Sequence, residues 1–364
     1  MEHSRCRETL DSEELRSMER ARNYSLDVYR MFLAFGIVLL HVCETVGFDR
    51  IASLMHFCVP AFAIITGYFG AGFKISKVVR LYATAGACLL IIWFMRAWAV
   101  VPYAMPCLDH WWFLHAYVIM IVLSPFVDEL FNRANDVGDK KRILAVVIPF
   151  MLVVFGWGWI VSYKLTQQFL PTANGLGNFS FLNLLGAYVV GRVIRFFDLE
   201  QRLPKKIVIL LAVISFLLGS FSKYWRYNDP LCVVLAASTF LLFIRLRTPN
   251  VTGSIAAKFA PSMFAVYLLH LVMPIPGNGE PRALISYCWR IVPAGDGMGQ
   301  LLVVSVLVFM AAIMLDLPRR IVLAVFGNKL KFVCKWIDES FNALLGMILV
   351  KEMKDEGSNP FDLR

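Results

Sequence analysis

The sequence predicts an all-α fold: a polytopic transmembrane helix bundle of about ten spans, with both termini cytosolic. Three observations predict it. The 364-residue chain is 59% hydrophobic and only 17% charged, with mean hydropathy +0.64, whereas a soluble domain is about a quarter charged. Its apolar residues gather into runs near the twenty or so that a helix needs to cross hydrocarbon. Its cations gather between those runs, so the net charge of +10 reads as a set of topology signals and not as a nucleic-acid footprint.

Residues 1–23 are polar and mixed in charge. They lack the basic-then-apolar pattern of a cleavable leader and are expected to be a cytosolic N-terminal tail. Ten candidate spans follow, at 26–47, 51–70, 78–100, 111–128, 143–163, 180–197, 206–222, 230–245, 261–276 and 299–318. Together they make one membrane domain, residues 24–327. "GFDRIA" at 47–52 is a tight turn that joins the first two as a hairpin, and the ninth carries Pro274 and Pro276. Residues 328–364 form a basic, partly amphipathic cytosolic tail. Its apolar residues lie between lysines, which suits either a helix on the inner leaflet or an eleventh span. With the N-terminus inside, about 29 of the 36 Lys and Arg fall in cytosolic segments and about six outside. No CxxC spacing occurs among the eight cysteines, and no metal site is expected.

The first span, "YSLDVYRMFLAFGIVLLHVCETV", carries Asp27, Arg30, His41 and Glu44. Each charged group near a bilayer centre costs roughly 2.5–3.5 kcal/mol on insertion scales. At 100° per residue, Arg30 and His41 share a face about 16 Å apart, and Asp27 and Glu44 extend the same stripe. A polar stripe in lipid is untenable, so it must face the bundle interior or a wet cavity. A purely structural reading makes Asp27–Arg30 an interfacial ion pair and His41 a hydrogen-bond partner of a neighbouring helix. The alignment of four groups on one face favours a site. The next hairpin ends in Lys74, Lys77 and Arg80. These are either positive-inside flanks or a clamp for phosphates, which call for several cationic donors at once.

At this level of detail the chain resembles a known family. "NYSLDVYRMFLAFGIVLLH" is similar to the opening signature of the integral-membrane acyltransferase family 3, an Arg, ten residues and then a His, matched by Arg30 and His41. "VPAFAIITGYF" resembles its second segment, with Thr66 where Ser is usual. "WWFLHAYVIMIVLSP" resembles its "WFl" helix at Trp112, Phe113, Leu114, Ser124 and Pro125. "SMFAVYLLH" resembles its "fgiYLiH" element at Tyr267 and His270. The motifs occur in the family's order between residues 23 and 325. The family's Arg-x-x-Arg pair is here Lys77-x-x-Arg80, which keeps the charge and loses one planar fork.

The resemblance implies a multi-pass protein of the cell inner membrane that moves an acyl group, most commonly acetyl, from acyl-CoA to a hydroxyl of a cell-surface glycan or lipid-linked sugar. Acetyl-CoA is then the donor substrate, bound by Arg30, Lys77 and Arg80, with Asp27 orienting Arg30. His41 is expected as general base, or alternatively as carrier of the acyl group, with Glu44 orienting its ring. Trp112, His115, Tyr267 and His270 are candidates for the acceptor side, and a plain structural role competes for each. Trp111, Trp112, Tyr103 and His110 suit an interfacial aromatic belt or a sugar-stacking wall. The competing class is a transporter of a small anionic or sugar solute, which also buries charges and breaks helices with proline. The hydropathy shows no inverted repeat, and the basic cluster suits an anionic donor.

Overall fold

A computed structural model describes residues 23–101, 111–138, 140–157, 180–221, 226–246, 248–293 and 297–355, and the side chains of 344–355 are not among those described. The N-terminal tail, Tyr103 and His110 lie outside these residues. Among the described residues the architecture is all-α, and the β-type pairing is confined to an isolated bridge, Ile275–Asn278.

Helix α1, Tyr24–Val46, begins at Asn23, whose side chain accepts from the Ser25 N–H, and ends at Gly47 in the left-handed region at φ 87°. It runs between two apolar clusters. Leu26, Tyr29 and Leu33 enter one, and Ala34, Val38 and Val42 enter the other. The second expected span is broken. Helix α2, Asp49–Met55, stops at His56, and α3, Cys58–Phe69, resumes after it. Pro60 explains the break, because it has no N–H for the His56 carbonyl and its ring crowds that turn.

Helix α4, Ile75–Trp98, buries little beyond Ser76, Ala85, Cys88, Ile92 and Arg96. Helix α5, Trp112–Val137, precedes α6, Lys140–Met151, which passes into a π-helical segment, Leu152–Trp157. Helix α7, Phe181–Phe196, crosses α3 at backbone contact. A methyl group on Gly67 would strike the Tyr188 carbonyl, and one on Gly191 would strike the Ile64 carbonyl, the small-residue packing that lets membrane helices approach closely. A short turn α8, Leu199–Arg202, leads to α9, Lys205–Phe221, and then α10, Pro230–Ile244, capped by Asp229. Much of α9 is bare apolar surface, including Leu210, Leu217, Leu218 and Phe221, as suits a lipid-facing helix.

Among the described residues five helical stretches are long and apolar enough to cross a membrane: Tyr24–Val46, Asp49–Phe69, Ile75–Trp98, Trp112–Asp136 and Met298–Phe326. Helices α7, α9 and α10 have 16, 17 and 15 residues, short of the roughly 20 of a full crossing. The expected ninth span at 261–276 lies elsewhere. Helix α11, Asn250–Phe259, passes through a 3-10 turn, Ala260–Ser262, into α12, Met263–Leu269. The helical rod therefore starts earlier and ends before His270. Pro261 sits at the start of the 3-10 turn, where a missing N–H is tolerated, and Pro274 deprives the His270 carbonyl of a helical partner. Helix α13, Ala283–Ile291, follows, and α14, Met298–Asp355, runs unbroken through residue 327.

Candidate active site

The polar stripe of α1 is buried at Asp27, partly buried at Arg30 and His41, and exposed at Glu44. At the N-terminal end Asp27, 3% exposed, pairs with Arg30 at 3.3 Å. The Tyr117 hydroxyl lies 2.8 Å from Thr66 Oγ1. Above it, Ala34 and Ile37 occupy the same face and line a cavity of about 170 Å³ closed by Phe62, Leu81, Phe113, Tyr117 and Tyr267. The wall is almost wholly apolar. Two elements therefore meet along one helix, a cation at the foot and an apolar hollow above it.

At the C-terminal end of α1 the bonding is denser. His41 Nδ1 is 2.9 Å from Glu44 Oε2, and Arg282 Nη2 donates to the same oxygen at 2.8 Å. With Nδ1–H directed to the carboxylate, Nε2 carries the lone pair. The His270 ring lies 5.1 Å from the His41 ring, centre to centre, and 6.3 Å from that of Tyr267 at the head of the cavity. His270 is 1% exposed, and its Nδ1–H donates to the carbonyls of Val266 and Tyr267 at 3.0 and 2.9 Å. Its Nε2, buried, finds no partner among the described residues. The Tyr267 hydroxyl accepts from the Phe113 N–H at 3.2 Å.

A family model described as an acyltransferase domain matches residues 23–317. The chain belongs to the membrane acyltransferase family 3. The match begins one residue before α1 and contains both ends of the stripe, so this is a multi-pass membrane acyltransferase. No curated protein and no solved structure gives a significant match.

The structure brings together Asp27 with Arg30, His41 with Glu44, and His270 with both His41 and Tyr267. Trp112 reaches the same end through Tyr227, ring to ring at 5.3 Å. Lys77 folds back on the carbonyls of Ala71 and Gly72, while the Arg80 side chain is exposed. Beside them Asp338 of α14 accepts from Ser76 N–H at 2.9 Å and Ser76 Oγ–H at 2.6 Å. Those bonds, with Lys74 and Arg80 nearby, hold its carboxyl below the usual range. His115 stands apart, exposed on α5 with Nδ1 3.3 Å from the Tyr82 hydroxyl.

Three residues escaped the sequence reading. Arg282 is one of the few cations in the segments that the sequence reading expected to lie outside, and that exception was its signal. His56 gives Nδ1–H to the Ala52 and Ser53 carbonyls at 3.0 and 3.1 Å and packs on Tyr227 at 4.7 Å. Nothing in the local sequence marks Tyr227. Among the described residues no group of three His, Cys, Asp or Glu is arranged to hold a metal.

Proposed function

We propose that this acyltransferase uses acyl-CoA, with acetyl the leading acyl group, to acylate a hydroxyl of a cell-surface glycan or lipid-linked sugar. The observation that carries the reading is the apolar cavity on one face of α1 between Arg30 and His41. Coenzyme A is an anionic head on a thin flexible arm. Arg30, steadied by Asp27, and the exposed Arg80 with Lys77 supply cations for its phosphates. The arm needs to climb about 16 Å, the rise from residue 30 to residue 41, and the hollow lined by Ala34 and Ile37 lies on that path.

At the top, His41 Nε2 takes the proton of the acceptor hydroxyl while the oxygen attacks the thioester carbonyl. The new C–O bond replaces the C–S bond, and the departing thiolate takes the proton from the imidazolium. Glu44 holds the tautomer that leaves Nε2 free, in the manner of carboxylate–histidine pairs. His270 Nε2, a buried acceptor, suits an O–H or N–H of a substrate. Tyr267 and Trp112 line the approach. The Lys and Arg asymmetry supports cytosolic termini, which puts Arg30 on the donor's side of the inner membrane and His41 toward the acceptor's.

Mass spectrometry of surface glycans from cells with and without the gene tests the reading. A mass difference of one acyl group on a defined sugar is expected. Identical glycan spectra, with the protein present in the membrane, would overturn the assignment of a glycan acceptor.

A further inference from the structure

Arg282 is in a conformation that its own side chain does not favour. Its φ is 67° and its ψ is 8°, in the left-handed region, which glycine and asparagine occupy at less cost because other side chains crowd the following carbonyl. The backbone is fixed there from both sides. The Arg282 N–H donates to the Leu271 carbonyl at 2.7 Å, and its carbonyl accepts from the Ser286 N–H at 3.0 Å, so the residue joins the end of the His270 segment to the start of α13. The side chain leaves this joint and donates to Glu44 Oε2 at 2.8 Å. Non-glycine residues held in this region cluster at functional sites.

We propose that Arg282 is a positioning residue: it clamps the Glu44 carboxylate and, through the shared Oε2, fixes the His41 ring with its lone pair at Nε2. The inference rests on the reading of His41 as the base. An anchored carboxylate has one oxygen held by a cation and directed at Nδ1, so the imidazole loses the freedom to rotate or to exchange tautomers. An unanchored Glu44, on the last turn of α1 and half-open to the outside, swings. The clamp also ties α1 to the strand of chain that carries His270, so the two imidazoles keep their spacing as substrates enter.

The backbone makes the test clean. Arg282→Gly removes the clamp while suiting the local φ, and Arg282→Asn does the same with a side chain that tolerates this region. Full-length protein in native membrane vesicles, which also carry the acceptor, is assayed for thiol release from acetyl-CoA against vesicles lacking the protein. Both variants should melt at or above the wild-type temperature, keep KM for acetyl-CoA, and lose kcat about 10- to 100-fold, the scale for loss of an orienting partner. Arg282→Lys should recover part of that loss, and millimolar guanidinium should restore part of the Arg282→Gly rate by filling the vacated place. A residue with a merely structural role would instead lower the melting temperature and respond to neither rescue. Wild-type kcat in Arg282→Gly, with His41→Gln inactive in the same vesicles, overturns this inference alone. Wild-type rates in both variants overturn the His41 reading with it.

Discussion

The two ends of α1 are built differently. At the C-terminal end His41, Glu44 and Arg282 share one carboxylate oxygen at 2.9 and 2.8 Å, and His270 stands 5.1 Å away with its own Nδ1 pinned. At the N-terminal end Asp27 pairs with Arg30 at 3.3 Å, and the Arg30 side chain is 38% exposed. The difference fits the proposal that one end reacts and the other binds the donor. Chemistry needs groups held to within a fraction of an ångström before the substrate arrives. Binding a mobile polyphosphate needs charge that can adjust and that water has not been stripped from.

If the ends are two halves of one site, the largest effect comes from severing them. Ile37, 5% exposed, lines the cavity between the two ends. Ile37→Trp places an indole in that hollow, and acyl transfer should fall at least about 100-fold because the reacting carbonyl no longer reaches His41. A normal rate in vesicles containing folded protein would show that the hollow is not the path. A smaller effect is expected at the open end. Arg80→Ala should weaken acetyl-CoA binding by about 1.5–3 kcal/mol, the worth of a charged hydrogen bond, as read by calorimetry on purified protein. Unchanged affinity would leave the basic cluster as a topology signal. The smallest effect concerns Asp338, which places a carboxylate among those cations. Asp338→Asn should tighten acetyl-CoA binding by about two- to threefold, the size of a screened surface charge interaction. Weaker binding would show that Asp338 assembles the cationic end and does not compete there.

What the sequence disclosed follows the same division. The stripe on α1 was legible because a helix has one period, and Asp27, Arg30, His41 and Glu44 obey it within 18 residues. The cavity was not, since its walls come from Phe62, Leu81, Phe113 and Tyr267, which no local pattern relates. Arg282 stood out only as an exception to the charge asymmetry, and its pairing with Glu44 was not legible because it spans 238 residues. The local effect of proline was not legible either: Pro261 is absorbed in a 3-10 turn inside a helical rod that was expected to begin there, whereas Pro60, expected early in a helix, breaks the second span beside the turn that carries His56. The ten apolar runs were visible as composition, but α7, α9 and α10 are too short to be read as full spans, and length is fixed by packing that hydropathy does not report.

The central claim is that one end of α1 binds and the other reacts, and a paired measurement on His41→Gln and Arg30→Gln tests it most directly. Each variant is titrated with acetyl-CoA and assayed for acyl transfer in the same membranes. Glutamine keeps much of the shape and a hydrogen bond of histidine but takes no proton at neutral pH. His41→Gln should bind acetyl-CoA within about twofold of wild type and lose transfer at least about 100-fold, the usual scale for a lost general base. Arg30→Gln should lose affinity by about tenfold and, at saturating donor, keep most of its rate. A His41→Gln protein that binds the donor and acylates at the wild-type rate would contradict the account, and so would an Arg30→Gln protein with unchanged affinity and no transfer.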